Sequence, residues 1–147
     1  MTSDTPMSEE ELAERLRNVI LRLYRQLRWQ TQAAGMGAQD PILIDTIRRT
    51  PGITISELAA REHMRPPAMT EHVQRLERAG YIIRRQDDPQ DRRRVGLHAT
   101  RKGVLAVNRA KRHRTDWLVN RLDALPPDTI EALKIAVSAL ERVPGES

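Results

Sequence analysis

Residues 84–100, RRQDDPQDRRRVGLHAT, restrict the fold more than any other stretch of this chain. The residues just before the arginine-rich turn, 81–85, are short and β-prone. Beyond it, Val95 and Leu97 alternate with Gly96 and His98, so Val95–Ala99 reads as a second strand. Between them, Pro89 stiffens the approach to a turn carrying Asp91, Arg92, Arg93 and Arg94. The loop between these strands is the stretch itself, and the composition, 39% hydrophobic and 31% charged, points to helices for most of the remainder.

The rest of the sequence supplies those helices. Ser8-Glu9-Glu10-Glu11 has the form of a capping box, and Leu12, Leu16, Val19, Ile20, Leu23 and Leu27 follow at spacings of three and four. One long helix is expected, ending near Ala34 before Gly35 and Gly37. Asp40-Pro41 reads as N-cap and first residue of a short buried helix, stopped by Thr50-Pro51-Gly52. Thr54 and Glu57 form a second capping box, with Ile53 and Leu58 as its hydrophobic staple. That helix is expected to run to about His63.

Pro66-Pro67 opens a fourth helix, since proline is tolerated in a first turn, and Gly80 closes it as the C′ residue. After the hairpin, Thr100 caps a long helix over Arg101–Leu122. Pro126-Pro127-Asp128 breaks the chain, and Ile130, Leu133, Val137 and Leu140 mark a last amphipathic helix. The fold expected is mainly α with one small β-hairpin: a winged helix-turn-helix flanked by long helices at both ends.

Charge sharpens the reading. The net charge is +5, yet between Arg84 and Arg114 eleven Lys/Arg face three Asp, while the remainder is slightly acidic. Such a stretch suits a polyanionic partner; a solvated basic face is the plainer alternative. Cysteine is absent, which removes disulfides, thiolate metal sites and thiol redox sensing. His63, His72, His98 and His113 have no partner at three or four residues, so no metal site is expected. No nucleophile–base set or phosphate-binding glycine loop can be assembled, so no catalytic residue and no cofactor are expected. The apolar runs are too short to span a membrane, and residues 1–6 lack the pattern of an export signal, so a cytoplasmic location is expected by default.

The fourth helix is where recognition is expected. Met69, Val73 and Leu76 form its buried side, leaving Arg65, Pro66, Thr70, Glu71, Gln74, Arg75 and Arg78 free. Thr and Gln can bond base edges or phosphates, Arg can fork onto guanine, and Glu can accept from cytosine N4. The hairpin tip, with Arg92, Arg93 and Arg94, can reach a neighbouring minor groove, where narrow sequence concentrates negative potential. Asp91 is expected to orient a guanidinium there.

ISELAAREHMRPPAMTEHVQRLERAGYI and DDPQDRRRVGLHATRKG together resemble the helix-turn-helix and wing of the MarR family of bacterial transcription regulators. The resemblance covers nearly the whole chain. It implies a single domain over 1–147, dimerisation helices at 8–34 and 101–143, and a DNA-binding winged region at 40–100. It implies a homodimeric, ligand-responsive repressor on a pseudo-palindromic operator of double-stranded DNA. Asp91 and Arg93 match the family's wing pair, and Thr70 a threonine of its recognition helix. Glu71 departs, since many relatives carry Arg there, and His72 stands where an aliphatic residue is common. Relatives often hold small aromatic effectors between the dimer helices and the winged region; Tyr24, Arg28, Trp29 and Trp117 are the candidates here, with dimer core as the alternative for Trp117. An architectural DNA-binding protein without a specific operator remains the rival function, and a helical interaction module a third.

Overall fold

The computed structural model describes residues 6–143. Residues 1–5, which carry most of the segment read for an export signal, and residues 144–147 lie outside that range. The order is α1 (Glu9–Ala33), α2 (Asp40–Arg49), α3 (Ile55–Arg61), α4 (Pro66–Arg78), β1 (Ile82–Gln86), β2 (Val95–Ala99), α5 (Arg101–Leu122) and α6 (Pro127–Leu140). The mainly helical fold with one antiparallel hairpin is therefore as expected.

Local chemistry sets most boundaries. Ser8 Oγ accepts from Glu11 N–H at 3.1 Å and starts α1. Both halves of the Thr54/Glu57 box form at α3. Gly80 sits at φ +76°, the left-handed conformation that lets Tyr81 N–H reach Leu76 O and close α4.

Three boundaries move. α2 begins at Asp40 rather than after it, with Gln39 as N-cap, because the Asp40 carboxylate is engaged elsewhere. α3 stops at Arg61, two residues early, because His63 turns to φ +50° and Met64 N–H bonds back to Ala59 O. β1 shifts by one residue to Ile82, since Tyr81 is spent on the α4 exit.

The hairpin pairs Ile82 with Ala99 through Gln86 with Val95. A short bridge joins Ile53 to Leu97, with Leu97 N–H donating to Ile53 O at 2.8 Å. It seats the wing against the start of α3. Thr100 then locks the hairpin to α5: its hydroxyl donates to Gly80 O at 2.6 Å and accepts from Gly103 N–H at 3.1 Å. A Cβ on Gly103 would stand 2.2 Å from Tyr81 O, so only glycine lets α5 lie this close to the α4–β1 turn.

One core fills the centre. Leu43, Ile44 and Ile47 of α2, Leu58 of α3, Met69, Val73 and Leu76 of α4, Ile82 and Leu97 of the hairpin, and Ala106, Val107 and Ala110 of α5 are buried together. Asp45 fastens α2 to α5 through Lys111, with Arg48 alongside. Burial pushes the Asp45 carboxyl up, but the hydrogen bonds and charges of Lys111 and Arg48 outweigh it and hold it below its ordinary value. By contrast, α1 buries only Thr31 and α6 buries nothing. No helix among the described residues is long and apolar enough to cross a membrane.

Candidate nucleic-acid interface

α4 exposes one polar face beside the wing. Met69, Val73 and Leu76 are fully buried, as the apolar spacing requires, and this turns Arg65, Pro66, Glu71, Gln74 and Arg78 outward, with Thr70 half-buried. The Thr70 hydroxyl donates to Pro66 O at 3.0 Å, which leaves its oxygen as an acceptor for an incoming donor. Arg75 is also exposed, its side chain 46% so, but its guanidinium forks onto Asp40.

The wing tip is ordered by its acidic residues through the backbone. Asp88 Oδ1 accepts from Gln90 N–H at 2.9 Å, and Asp91 Oδ1 accepts from Arg93 N–H at 3.0 Å. Arg94 N–H returns to Asp91 O. Asp91 thus shapes the turn that presents Arg93; its carboxylate bonds the main chain where a side-chain pair was expected. Arg92 and Arg93 are exposed and form no ion pair among the described residues. Arg94 differs again. Its Nη1 donates to Glu57 Oε1 at 3.0 Å and its Nη2 to Glu57 Oε2 at 3.4 Å, tying the wing to α3. The Thr54 backbone N–H and, behind it, the Arg94 guanidinium hold the Glu57 carboxyl below its ordinary range.

At the wing base, His98 Nε2 lies 2.7 Å from Asp87 Oδ2, and on the α4 side Arg84 Nε donates to Glu77 at 3.0 Å. Of the three arginines expected at the tip, Arg92 and Arg93 are therefore without an ion pair among the described residues, and Arg94 is a fastener.

The residues expected to hold an effector do not converge within one chain. Arg28 lines a cleft of about 650 Å³ with Gln32, Gln39, Glu71, His72 and Arg75. Trp117 lines a separate cleft of about 240 Å³ with Gln30 and His113. Tyr24 lies on α1 with Arg28 over its ring, and Trp29 is 72% exposed. Arg121 covers Trp117 at 3.7 Å.

Asp40 and Glu57 do more than their spacing in the sequence implies. Each is a helix-start residue, and each also holds an arginine from 35 or 37 positions away. Only the Gly37-x-x-Asp40 spacing hinted that the Asp40 carboxylate turns back, toward the Gly37 N–H.

The MarR family model matches residues 43–95, from α2 to the start of β2. An uncharacterized HTH-type transcriptional regulator of Mycobacterium leprae is 31% identical over 140 residues, covering 95% of this chain and 97% of the relative. Among solved structures, a Pseudomonas aeruginosa protein assigned to transcriptional regulation superposes with a TM-score of 0.77 at 29% identity, over 95% of this chain and 97% of that one. The Streptococcus pneumoniae FabT protein, solved in complex with DNA, shares the fold with a TM-score of 0.62 at 24% identity, over 92% and 96% of the two chains.

Proposed function

The chain belongs to the MarR family of transcription regulators, and from that premise we propose that it is a homodimeric repressor that docks its winged domains on the two halves of a pseudo-palindromic operator. It is a regulator and not an enzyme. The observation that carries the proposal is the pairing of the outward face of α4 with a wing whose tip holds two exposed arginines on a turn shaped by Asp91. Thr70, Glu71 and Gln74 then face base edges in the major groove, and Arg65 the flanking phosphates. Arg92 and Arg93 enter the adjacent minor groove.

Dimerisation is assigned to residues 8–34 and 101–143, and DNA binding to 40–100. Leu12, Ile20 and Leu23 on α1, Val119 and Leu122 on α5, and Ile135 and Val137 on α6 are exposed in the single chain. Apolar faces of this extent on terminal helices suit a second copy. Two-fold pairing then holds the recognition helices about one helical turn of DNA apart, roughly 34 Å. The cleft beside Arg28, between α1 and α4, is where a small aromatic effector would alter that spacing.

Footprinting of the intergenic region beside the protein's own gene tests the reading. A bounded, two-fold protected site is expected. Uniform coating of the fragment would favour an architectural protein, and no protection would remove DNA from the account.

A further inference from the structure

Arg75 lies on the exposed side of α4, where a base-reading arginine would stand, yet its guanidinium is committed within the chain. Its Nη2 donates to Asp40 Oδ1 at 2.8 Å and its Nη1 to Asp40 Oδ2 at 3.2 Å. Asp40 is the first residue of α2, and its side chain is only 6% exposed. The same carboxylate accepts from Gly37 N–H at 2.7 Å, in the connection that follows α1. A Cβ at Gly37 would fall 2.6 Å from Arg75 Nη1, so the connection is shaped to admit the guanidinium. His72 Nδ1 lies 2.6 Å from Arg75 Nη2 on the other side. A guanidinium has only donors, so that ring nitrogen is the acceptor.

The guanidinium is thus bonded on several sides, with its charge balanced by a buried carboxylate. Releasing it toward DNA would strand Asp40, and a buried unpaired carboxylate is costly.

We infer that Arg75 is a positioning residue: through Asp40 it fixes the recognition helix to the α1–α2 junction, and so to the dimer helix, without itself contacting DNA. The inference rests on the operator-binding reading above and deepens it. Two bonds of fixed direction restrain rotation of α4 about the cleft in a way a single point charge would not. The distance between the two recognition helices of a dimer then depends on this clasp. Base reading is left to Thr70, Glu71 and Gln74.

The test uses the full-length dimer and the footprinted operator, alongside operators with one base pair inserted or deleted between the half-sites. Wild type, Asp40→Asn, Arg75→Gln, Arg75→Lys and the Asp40→Asn/Arg75→Gln double variant are titrated at several salt concentrations, with affinities referred to the DNA-binding-competent fraction. Asp40→Asn and Arg75→Gln are each expected to weaken binding at the natural spacing by roughly 2- to 30-fold. The double variant should be no weaker than the worse single. Salt dependence should stay as in wild type, and discrimination between spacings should narrow. Arg75→Lys, which keeps the charge but not the fork, should recover only part of the loss.

Tighter binding by Asp40→Asn would overturn the inference, because it would mean a freed Arg75 reaches the DNA. A salt slope reduced by about one per half-site in Arg75→Gln would do the same, since that is the signature of a lost phosphate contact. So would unchanged discrimination between spacings. If a single variant fails to fold, the double variant, which leaves no buried charge, decides by the same slope and spacing readouts. Failure of wild type to bind any operator fragment would overturn the regulator reading and this inference with it; the variant patterns above overturn the inference alone.

Discussion

The centre of the molecule and its two ends solve the burial problem differently. From Met36 to Ala110, the helices and the hairpin enclose a shared core, with Leu43, Ile44, Ile47, Leu58, Met69, Val73, Ile82 and Leu97 fully buried. At the ends, α1 and α6 carry comparable apolar side chains, but Ile20, Leu23, Ile135 and Val137 remain in solvent. The periodicity is helical in both regions. What differs is whether the chain supplies a neighbour. The winged unit, with the first half of α5, covers its own core residues, whereas the terminal helices have apolar faces that this chain alone does not cover.

The comparison breaks most clearly at Leu43. Leu43→Ala should destabilise the fold by about 2–5 kcal/mol, through lost burial and a cavity that α2 cannot fill. Chemical denaturation measures it, and a loss below about 1 kcal/mol would mean the centre is as loosely packed as the ends.

Gly103→Ala comes next. The added methyl meets backbone, Tyr81 O, rather than a flexible side chain, so α5 must move off the α4–β1 turn. Overpacking of this kind costs about 1–3 kcal/mol. The same denaturation experiment reads it, and operator affinity should fall as well, because Thr100 holds the wing base through the same turn.

At the ends the expected effect moves from folding to association. Ile135 is 73% exposed, so Ile135→Ala should leave the winged core almost untouched. If a second copy covers this face, the lost burial of about 1.5–3 kcal/mol weakens the dimer by roughly tenfold or more per site. Sedimentation at falling concentration separates the outcomes. An unchanged dissociation constant would remove α6 from the interface.

The smallest effect concerns pH. Glu57 and Asp45 both have carboxyls held below their ordinary values in the fold. Their contribution is therefore present above the unfolded values and lost as pH falls through the lowered folded ones. Glu57→Gln keeps a side chain able to complete the α3 capping box but loses the charge facing Arg94. Below about pH 4.5, the ordinary value of a glutamate, thermal stability should fall less steeply with falling pH in this variant than in wild type. Above that pH, wild type should be slightly the more stable. Identical profiles would make the Arg94–Glu57 contact thermodynamically silent, as exposed pairs often are.

Much of the architecture was legible in the residues because its causes are local. Thr54 and Glu57 start α3, Pro66-Pro67 and Gly80 bound α4, and Thr100 starts α5, each through bonds to neighbours a few positions away. The alternation of Val95 and Leu97 with Gly96 and His98 defined β2, and the spacing of Met69, Val73 and Leu76 decided which side of α4 faces inward. Those patterns also delivered the outward side chains of the interface, since exposure is what remains once the apolar side is buried.

The long-range partners of the charged residues were decided only in three dimensions. Arginine types in a row look alike, yet Arg92 and Arg93 form no ion pair among the described residues while Arg94 is fastened to α3. Arg75 looked like a reader of DNA and is clasped to a buried carboxylate 35 positions away. His63, read as part of α3, became its left-handed exit because the chain had to turn into α4. The physical reason is range. Caps, turns and periodicity act within a few residues, so sequence spacing encodes them directly; an ion pair depends on where two distant helices come to rest, and that is set by the packing of the core between them.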